Sequence, residues 1–218
     1  PKTRFRFKPS LGEKDMIKEP THQTAFLDTP LVSALRLDVE KGLYLLFTLA
    51  AIFTRFWRLG DRVMSHDESL HTFFSWGLYM GRGFQHTPLM HGPFLFHINA
   101  LIYALLGADD FTARISPALF GVILILLPWT LRRWLGRAGA LVVSFMFLIS
   151  PSIMYYARYI RNESYVTVWV MLTVWSMFAY LRDRKPKWLY VFAAASVLNL
   201  ASKEVAFIYT AIFGSFLA

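Results

Sequence analysis

The feature that most constrains this chain is a succession of apolar runs, each close to bilayer length, separated by short turns that carry many of its basic residues. A helix needs about 20 apolar residues to cross the hydrocarbon layer, where unpaired backbone is excluded, so runs of this kind are expected to be helices. The first run, about 41–57, reads KGLYLLFTLAAIFTRFW. Others fall at about 112–131, 138–155, 165–181 and 188–200, and a sixth begins at 205 and continues to 218. The expected fold class is an all-α integral membrane protein, a polytopic helical bundle. Composition agrees, with 56% apolar and only 17% charged residues, against roughly 25% charged in soluble proteins. The chain has no cysteine, which excludes a disulfide framework and a thiolate metal site.

The remaining segments are organised around those runs. Residues 1–40 mix Lys2, Arg4, Arg6, Lys8, Lys14, Lys18 and Arg36 with acids and prolines, and are expected to form a cytoplasmic or interfacial arm, with a short interfacial helix near 31–40. No cleavable signal peptide is visible. Pro1 is not an initiator residue and Ala218 falls inside an apolar run, so both ends are expected to continue into a longer protein. Residues 41–218 form the transmembrane domain. Within it, residues 59–110 lack a bilayer-length run and hold five of the six histidines. Two shorter helical patterns there, about 67–80 and 93–106, suit helices lying along the interface.

Charge sets the orientation. The segments 132–137 and 182–187 carry seven Lys or Arg and one acid between them, so the positive-inside rule places both in the cytoplasm. Counting back puts the N-terminus in the cytoplasm and the 59–110 loop outside, in a multi-pass protein of the cell (plasma) membrane. The net charge of +9 forms no continuous basic stripe, so membrane lipids, not nucleic acid, are the expected partners.

Four polar elements then fall on the outer face. Ser65–His71 (SHDESLH) reads as a capped helix start, with Asp67 and Glu68 pointing to different faces and Asp67 and His71 sharing one. In His86–His97 (HTPLMHGPFLFH) Pro88 and Pro93 fix the backbone, and Gly92 lets it approach a neighbour beside His91. Arg158 and Arg161, with Glu163, stand in YARYIRNE and are read either as snorkelling cations or as an anion site. Lys203 and Glu204 interrupt apolar sequence, as a functional pair or as a tight outer turn. One reaction fits this inventory: transfer of a sugar from a lipid phosphate carrier. Its leaving group is a phosphate anion, which needs positive charge, and its acceptor hydroxyl needs a base.

The same residues resemble a known family. The chain looks like the N-terminal part of a GT-C fold glycosyltransferase, in the group of protein O-mannosyltransferases and lipid A aminoarabinose transferases. The acidic motif after the first span is matched by His66-Asp67-Glu68. The His-Pro-Pro-like motif is matched by His91-Gly92-Pro93, with glycine in place of the first proline. The Arg-containing segment is matched by Arg158–Glu163, and the Ser/Thr-Lys-Gly/Glu turn by Ser202-Lys203-Glu204. The wording HDESLH…GRGF…HGPF…ARYIRNE is similar to dolichyl-phosphate-mannose-type mannosyltransferases of archaea and bacteria, over about 41–210. The resemblance implies a hexosyltransferase with a polyprenyl-phosphate-sugar donor. Asp67 is then the catalytic base, Glu68 supports it, and Arg158, Arg161 and Lys203, with His91, bind substrate phosphate. Family members carry further spans, often followed by a soluble domain.

Two other readings are carried forward. A non-catalytic accessory subunit of a larger membrane complex would present this face to partner chains. A transporter would favour internal repeats and broken helices at the midplane, and no repeat is visible. A divalent cation is a subsidiary expectation, with His66 and His71 as weak candidate ligands beside the two carboxylates.

Overall fold

Residues 38–84, 86 and 91–217 are described by a computed structural model, and they are entirely helical apart from turns and loops. Residues 31–37 of the interfacial helix expected near 31–40, like the rest of the arm before them, lie outside the described residues, and Val39 and Glu40 open the first long helix. Helix α1 is Val39–Phe56, α2 His66–Tyr79, α3 Phe94–Leu106, α4 the single turn Asp110–Ala113, and α5 Ile115–Leu126. Then follow α6 (Pro128–Ile149), α7 (Pro151–Tyr156), α8 (Glu163–Asp183), α9 (Pro186–Leu200) and α10 (Ala206–Leu217). Two stretches, Ile115–Ile149 and Glu163–Asp183, are long and apolar enough to cross a membrane. Large apolar side chains such as Leu49, Phe145 and Ile208 are exposed on the helices around them, as expected of surfaces that meet lipid or another apolar partner.

The two helices expected along the interface, 67–80 and 93–106, form within a residue of those limits and pack on each other. The run expected at 112–131 begins with a separate turn, because Asp109 and Thr112 cap one another in a short capping box. It then continues to Leu135, through the arginines that sequence alone places in a loop. The reversal comes at Gly136, whose φ of 71° belongs to the left-handed region that glycine adopts freely.

The run expected at 138–155 is broken at Ser150-Pro151. Pro151 has no N–H to give the carbonyl of Phe147 one turn earlier. That oxygen is instead reached by the Arg55 guanidinium of α1 at 3.2 Å, with the Leu148 carbonyl at 3.3 Å. Arg158, just after α7, returns the favour by donating to the Thr54 carbonyl at 2.7 Å at the end of α1. Each arginine therefore satisfies helix-end carbonyls left without intrahelical donors in the other segment.

Packing brings the ends of distant helices together. Helix α1 packs against α5 and α6, α8 against α9, and α5 against α8. Phe94, Phe120, Tyr165 and Trp169 make an edge-to-face cluster with centroids 4.8–5.8 Å apart. Beneath it Ser116 bonds Tyr165 at 2.6 Å and also Asn99, tying α3, α5 and α8 at one level. The C-terminal ends of α1 and α9 and the N-terminal ends of α2, α5, α8 and α10 lie toward that end of the molecule. The Gly136 reversal, the start of α1 and the turn at Arg184 lie at the other, where Arg137 pairs with Asp38 at 3.5 Å and with Glu40 at 3.3 Å.

Candidate active site

Helix α2 opens on a reciprocal capping box. Ser65 Oγ accepts the Glu68 N–H, and the Glu68 carboxylate accepts the Ser65 N–H at 3.1 Å. One helical step, about 100°, then separates two adjacent carboxylates into different environments. Glu68 turns inward and is fully buried. Arg114 Nε donates to its Oε1 at 2.9 Å and Nη2 to its Oε2 at 3.2 Å, while Arg62 Nη2 reaches Oε2 at 2.8 Å. Burial by itself would raise this carboxyl, but the Arg114 bonds, the Ser65 N–H and the Arg62 charge outweigh it and hold Glu68 below the usual glutamate range. Arg114 donates further to the carbonyls of Leu59 and Arg62, at 3.1 and 2.9 Å. Glu68 is thus an anchor joining the 59–65 loop, the start of α5 and the segment before α8.

Asp67 turns outward. Its side chain is 47% exposed, and Arg161 Nη1 lies 3.3 Å from Oδ2. From there a strip of alternating charge runs across the face. Arg161 Nε lies 3.5 Å from Glu163 Oε1, and the same oxygen accepts Lys203 Nζ at 2.9 Å. The neighbouring Glu204 pairs with His91 Nδ1 at 2.7 Å. Burial tends to raise Glu204, and its backbone bond and His91 bring it below the ordinary value. Asp67, Arg161, Lys203 and His91, four residues singled out in the sequence, are therefore gathered along one strip.

The close approach expected at Gly92 is present. Phe94 donates its N–H to the Ala201 carbonyl at 3.0 Å, and a Cβ on Gly92 would fall 2.1 Å from that same oxygen. Glycine in the His-Gly-Pro stretch lets the 91–94 segment dock against the 201–204 turn and brings His91 to Glu204.

Arg158 follows a different course from Arg161. Its guanidinium donates to the carbonyls of Thr54, Arg55 and Arg58, and burial pushes it below the ordinary arginine range. Together with Arg62 it lines a cleft of about 400 Å³ walled by Leu59, Pro151, Met154 and Tyr155. Arg62 stands 5.2 Å from the Tyr159 ring centre, and Tyr159 shares a 2.6 Å hydrogen bond with Ser65. This phenol therefore joins the cleft to the start of α2, at Ser65, two residues before Asp67.

The two candidate metal-ligand histidines separate. His66 is exposed. His71 is buried against Phe96, with ring centres 6.1 Å apart. Its Nδ1 donates to the Asp67 backbone carbonyl at 2.7 Å, which leaves Nε2 as an acceptor in the neutral ring. That atom is buried without a hydrogen-bond partner. Burial is the main cause that lowers the His71 pKa, helped by the nearby His91 and Arg161 charges. Among the described residues no three His, Asp or Glu side chains converge as a metal-ligand set.

Sequence reasoning missed Arg62 and Arg114. Arg114 carried a usable signal, since a lone charge opening an otherwise apolar run is expected to have a buried partner. Arg62 carried none, standing among polar loop residues.

A family model described as dolichyl-phosphate-mannose-protein mannosyltransferase matches residues 90–218. No curated protein matches the chain. The matched segment contains His91, Arg158, Arg161, Glu163 and Lys203, while Asp67 and Glu68 precede it and reach it through Arg161 and Arg114. The match extends over well over half of the sequence, and the chain belongs to the dolichyl-phosphate-mannose-protein mannosyltransferase family.

Proposed function

We propose that this chain carries the acceptor-activating half of a polytopic GT-C glycosyltransferase, which moves a hexose from a polyprenyl-phosphate donor to an acceptor hydroxyl on the external face of the cell membrane. Six membrane crossings, with α2 and α3 lying along the outer interface and the N-terminus in the cytoplasm, accord with the helix order and with the basic turns at the opposite end. The observation that carries the reading is the division of labour between neighbours. Glu68 is consumed by Arg62 and Arg114, whereas Asp67 is half-exposed with Arg161 at 3.3 Å.

In this mechanism Asp67 takes the proton of the acceptor hydroxyl as its oxygen attacks the anomeric carbon. The bond from that carbon to the phosphate oxygen breaks, and its electron pair leaves on the phosphate. Positive charge must meet that developing anion. Arg62 and Arg158, lining the apolar cleft beside the site, suit the phosphate end of a lipid donor. Arg161 and Lys203 share Glu163, and an arriving phosphate would draw Arg161 away from Asp67 and leave the carboxylate free to act as base.

The test is consumption of polyprenyl-phosphate mannose by membranes containing the complete gene product, wild type against Asp67→Asn. The amide keeps the shape and removes the base, so turnover is expected to fall by about 10²–10⁴-fold at equal expression. Membranes that consume no donor would overturn the transferase reading and put the accessory-subunit reading first.

A further inference from the structure

The end of the molecule opposite Asp67 carries a second concavity that the transfer reaction does not use. It measures about 450 Å³ and is formed where the α5–α6 stretch before Gly136 meets the turn between α8 and α9. Four tryptophans line it: Trp129 and Trp134 from α6, Trp175 from α8 and Trp188 from α9. Five cations surround them, Arg132, Arg133, Arg182, Lys185 and Lys187, against a single lining acid, Asp183.

Many of these charges are held by rings. Arg132 stands 4.4 Å from the Trp129 ring centre, Arg182 5.3 Å from Trp134, and Lys187 4.7 Å from Trp188. Such cation–π contacts fix a cation without neutralising it. Arg182 also meets Asp183 in a two-point contact at 2.6 and 2.7 Å, which uses up the one acid of the lining. Arg133 and Lys185 have no ion-pair partner among the described residues. A topological rule explains why basic residues gather at one membrane face. It does not explain why two separate turns bring them round one indole-lined cavity.

We propose that this cavity binds the headgroup of an anionic phospholipid. The phosphate is the group these cations leave unanswered once Arg182 meets Asp183 and Arg132 meets Glu40 at 3.5 Å, since arginine and lysine side chains donate readily to phosphate oxygens. A membrane lipid is favoured over soluble phosphate because indole rings prefer the depth where headgroup meets acyl chain. Leu135, next to the lining Trp134, is also exposed, apolar surface on which an acyl chain can lie. The site is independent of the transfer reaction, from which it is separated by the length of the helices.

The complete protein, reconstituted in nanodiscs containing equal phosphatidylglycerol and phosphatidylcholine, is extracted into detergent and its retained lipid is measured by native mass spectrometry. Wild type is expected to retain phosphatidylglycerol in at least about tenfold excess over phosphatidylcholine, the factor that one lost charge-assisted contact of about 1.4 kcal/mol represents. The double substitution Arg133→Gln with Lys185→Gln, both exposed positions, is expected to abolish that excess without changing thermal stability in detergent. Lys41→Gln removes a charge at the same end but outside the cavity, and is expected to leave retention unchanged. Equal retention of the two lipids by wild type would overturn the proposal, as would full retention by the double variant or an equal loss with Lys41→Gln. Displacement of phosphatidylglycerol by millimolar inorganic phosphate would overturn the lipid assignment in favour of a soluble phosphate site.

Discussion

The two ends of the molecule handle charge in opposite ways. At the Asp67 end, acids and bases alternate, and the buried Glu68 and Arg114 are matched as a pair with near-zero exposure. At the Trp188 end, cations outnumber acids and rest on indole faces. The first arrangement fixes geometry, because a buried pair tolerates little displacement before its desolvation cost is uncovered. The second keeps a few pairs, Arg182 with Asp183 and Arg132 and Arg137 with Glu40, and leaves an excess of positive charge. A rigid, internally balanced end is suited to chemistry on one bond, and an unbalanced, ring-lined end to holding an anion that comes from outside.

That contrast can be broken most severely at Glu68. Glu68→Ala leaves the Arg114 guanidinium buried without its partner, and a loss of about 3–5 kcal/mol is expected, seen as a strongly lowered unfolding temperature in detergent. Next in size is Gly92→Ala. Its Cβ would fall on the Ala201 carbonyl, and overpacking of this kind costs about 1–3 kcal/mol. Thermal stability should drop and the His91–Glu204 pair should separate, which the chemical shift of the His91 ring would report.

Acid should weaken the same end. Glu68 is held below its ordinary pKa in the folded state, so its contribution is complete above the usual glutamate value. It is lost as pH falls from that value through the lower folded one. The unfolding temperature of wild type should therefore decline on acidification, and Glu68→Gln should start lower and decline less. A smaller effect is expected at the opposite end. Arg137, 72% exposed, meets Asp38 and Glu40 at 3.3–3.5 Å, and Arg137→Gln should change stability by no more than about 1 kcal/mol. A large loss there would mean that this end is as tightly paired as the other.

The sequence made the helices legible because their signals are local. The apolar run after Glu163, the capping box at Ser65 and the Lys185-Pro186 start of α9 each announce themselves within a few residues. Breaks within runs were harder. The turn at Gly136 lies inside an Arg-rich stretch that reads as a loop, whereas most of it is helix and one glycine does the turning. The gathering of Arg161, Lys203 and His91 was legible as convergence on one face, since topology alone brought those elements together. That Asp67 and Glu68 point to different faces was legible, but which of them is buried was not. Adjacent carboxylates look alike in sequence, and what separates them is Arg114, which lies 46 positions further along the chain. Arg158 and Arg161 look equally alike, yet one answers the carbonyls at the end of α1 and the other faces Asp67.

The most direct test of that division of labour measures turnover and unfolding temperature together, for Asp67→Asn and Glu68→Gln in the complete protein. Asp67→Asn is expected to keep the wild-type unfolding temperature and lose about 10²–10⁴-fold in transfer of the lipid-linked sugar. Glu68→Gln should unfold earlier, with its residual folded fraction still turning over. If Asp67→Asn transfers sugar at the wild-type rate, or loses stability as Glu68→Gln does, Asp67 is not the base and the account fails at its centre.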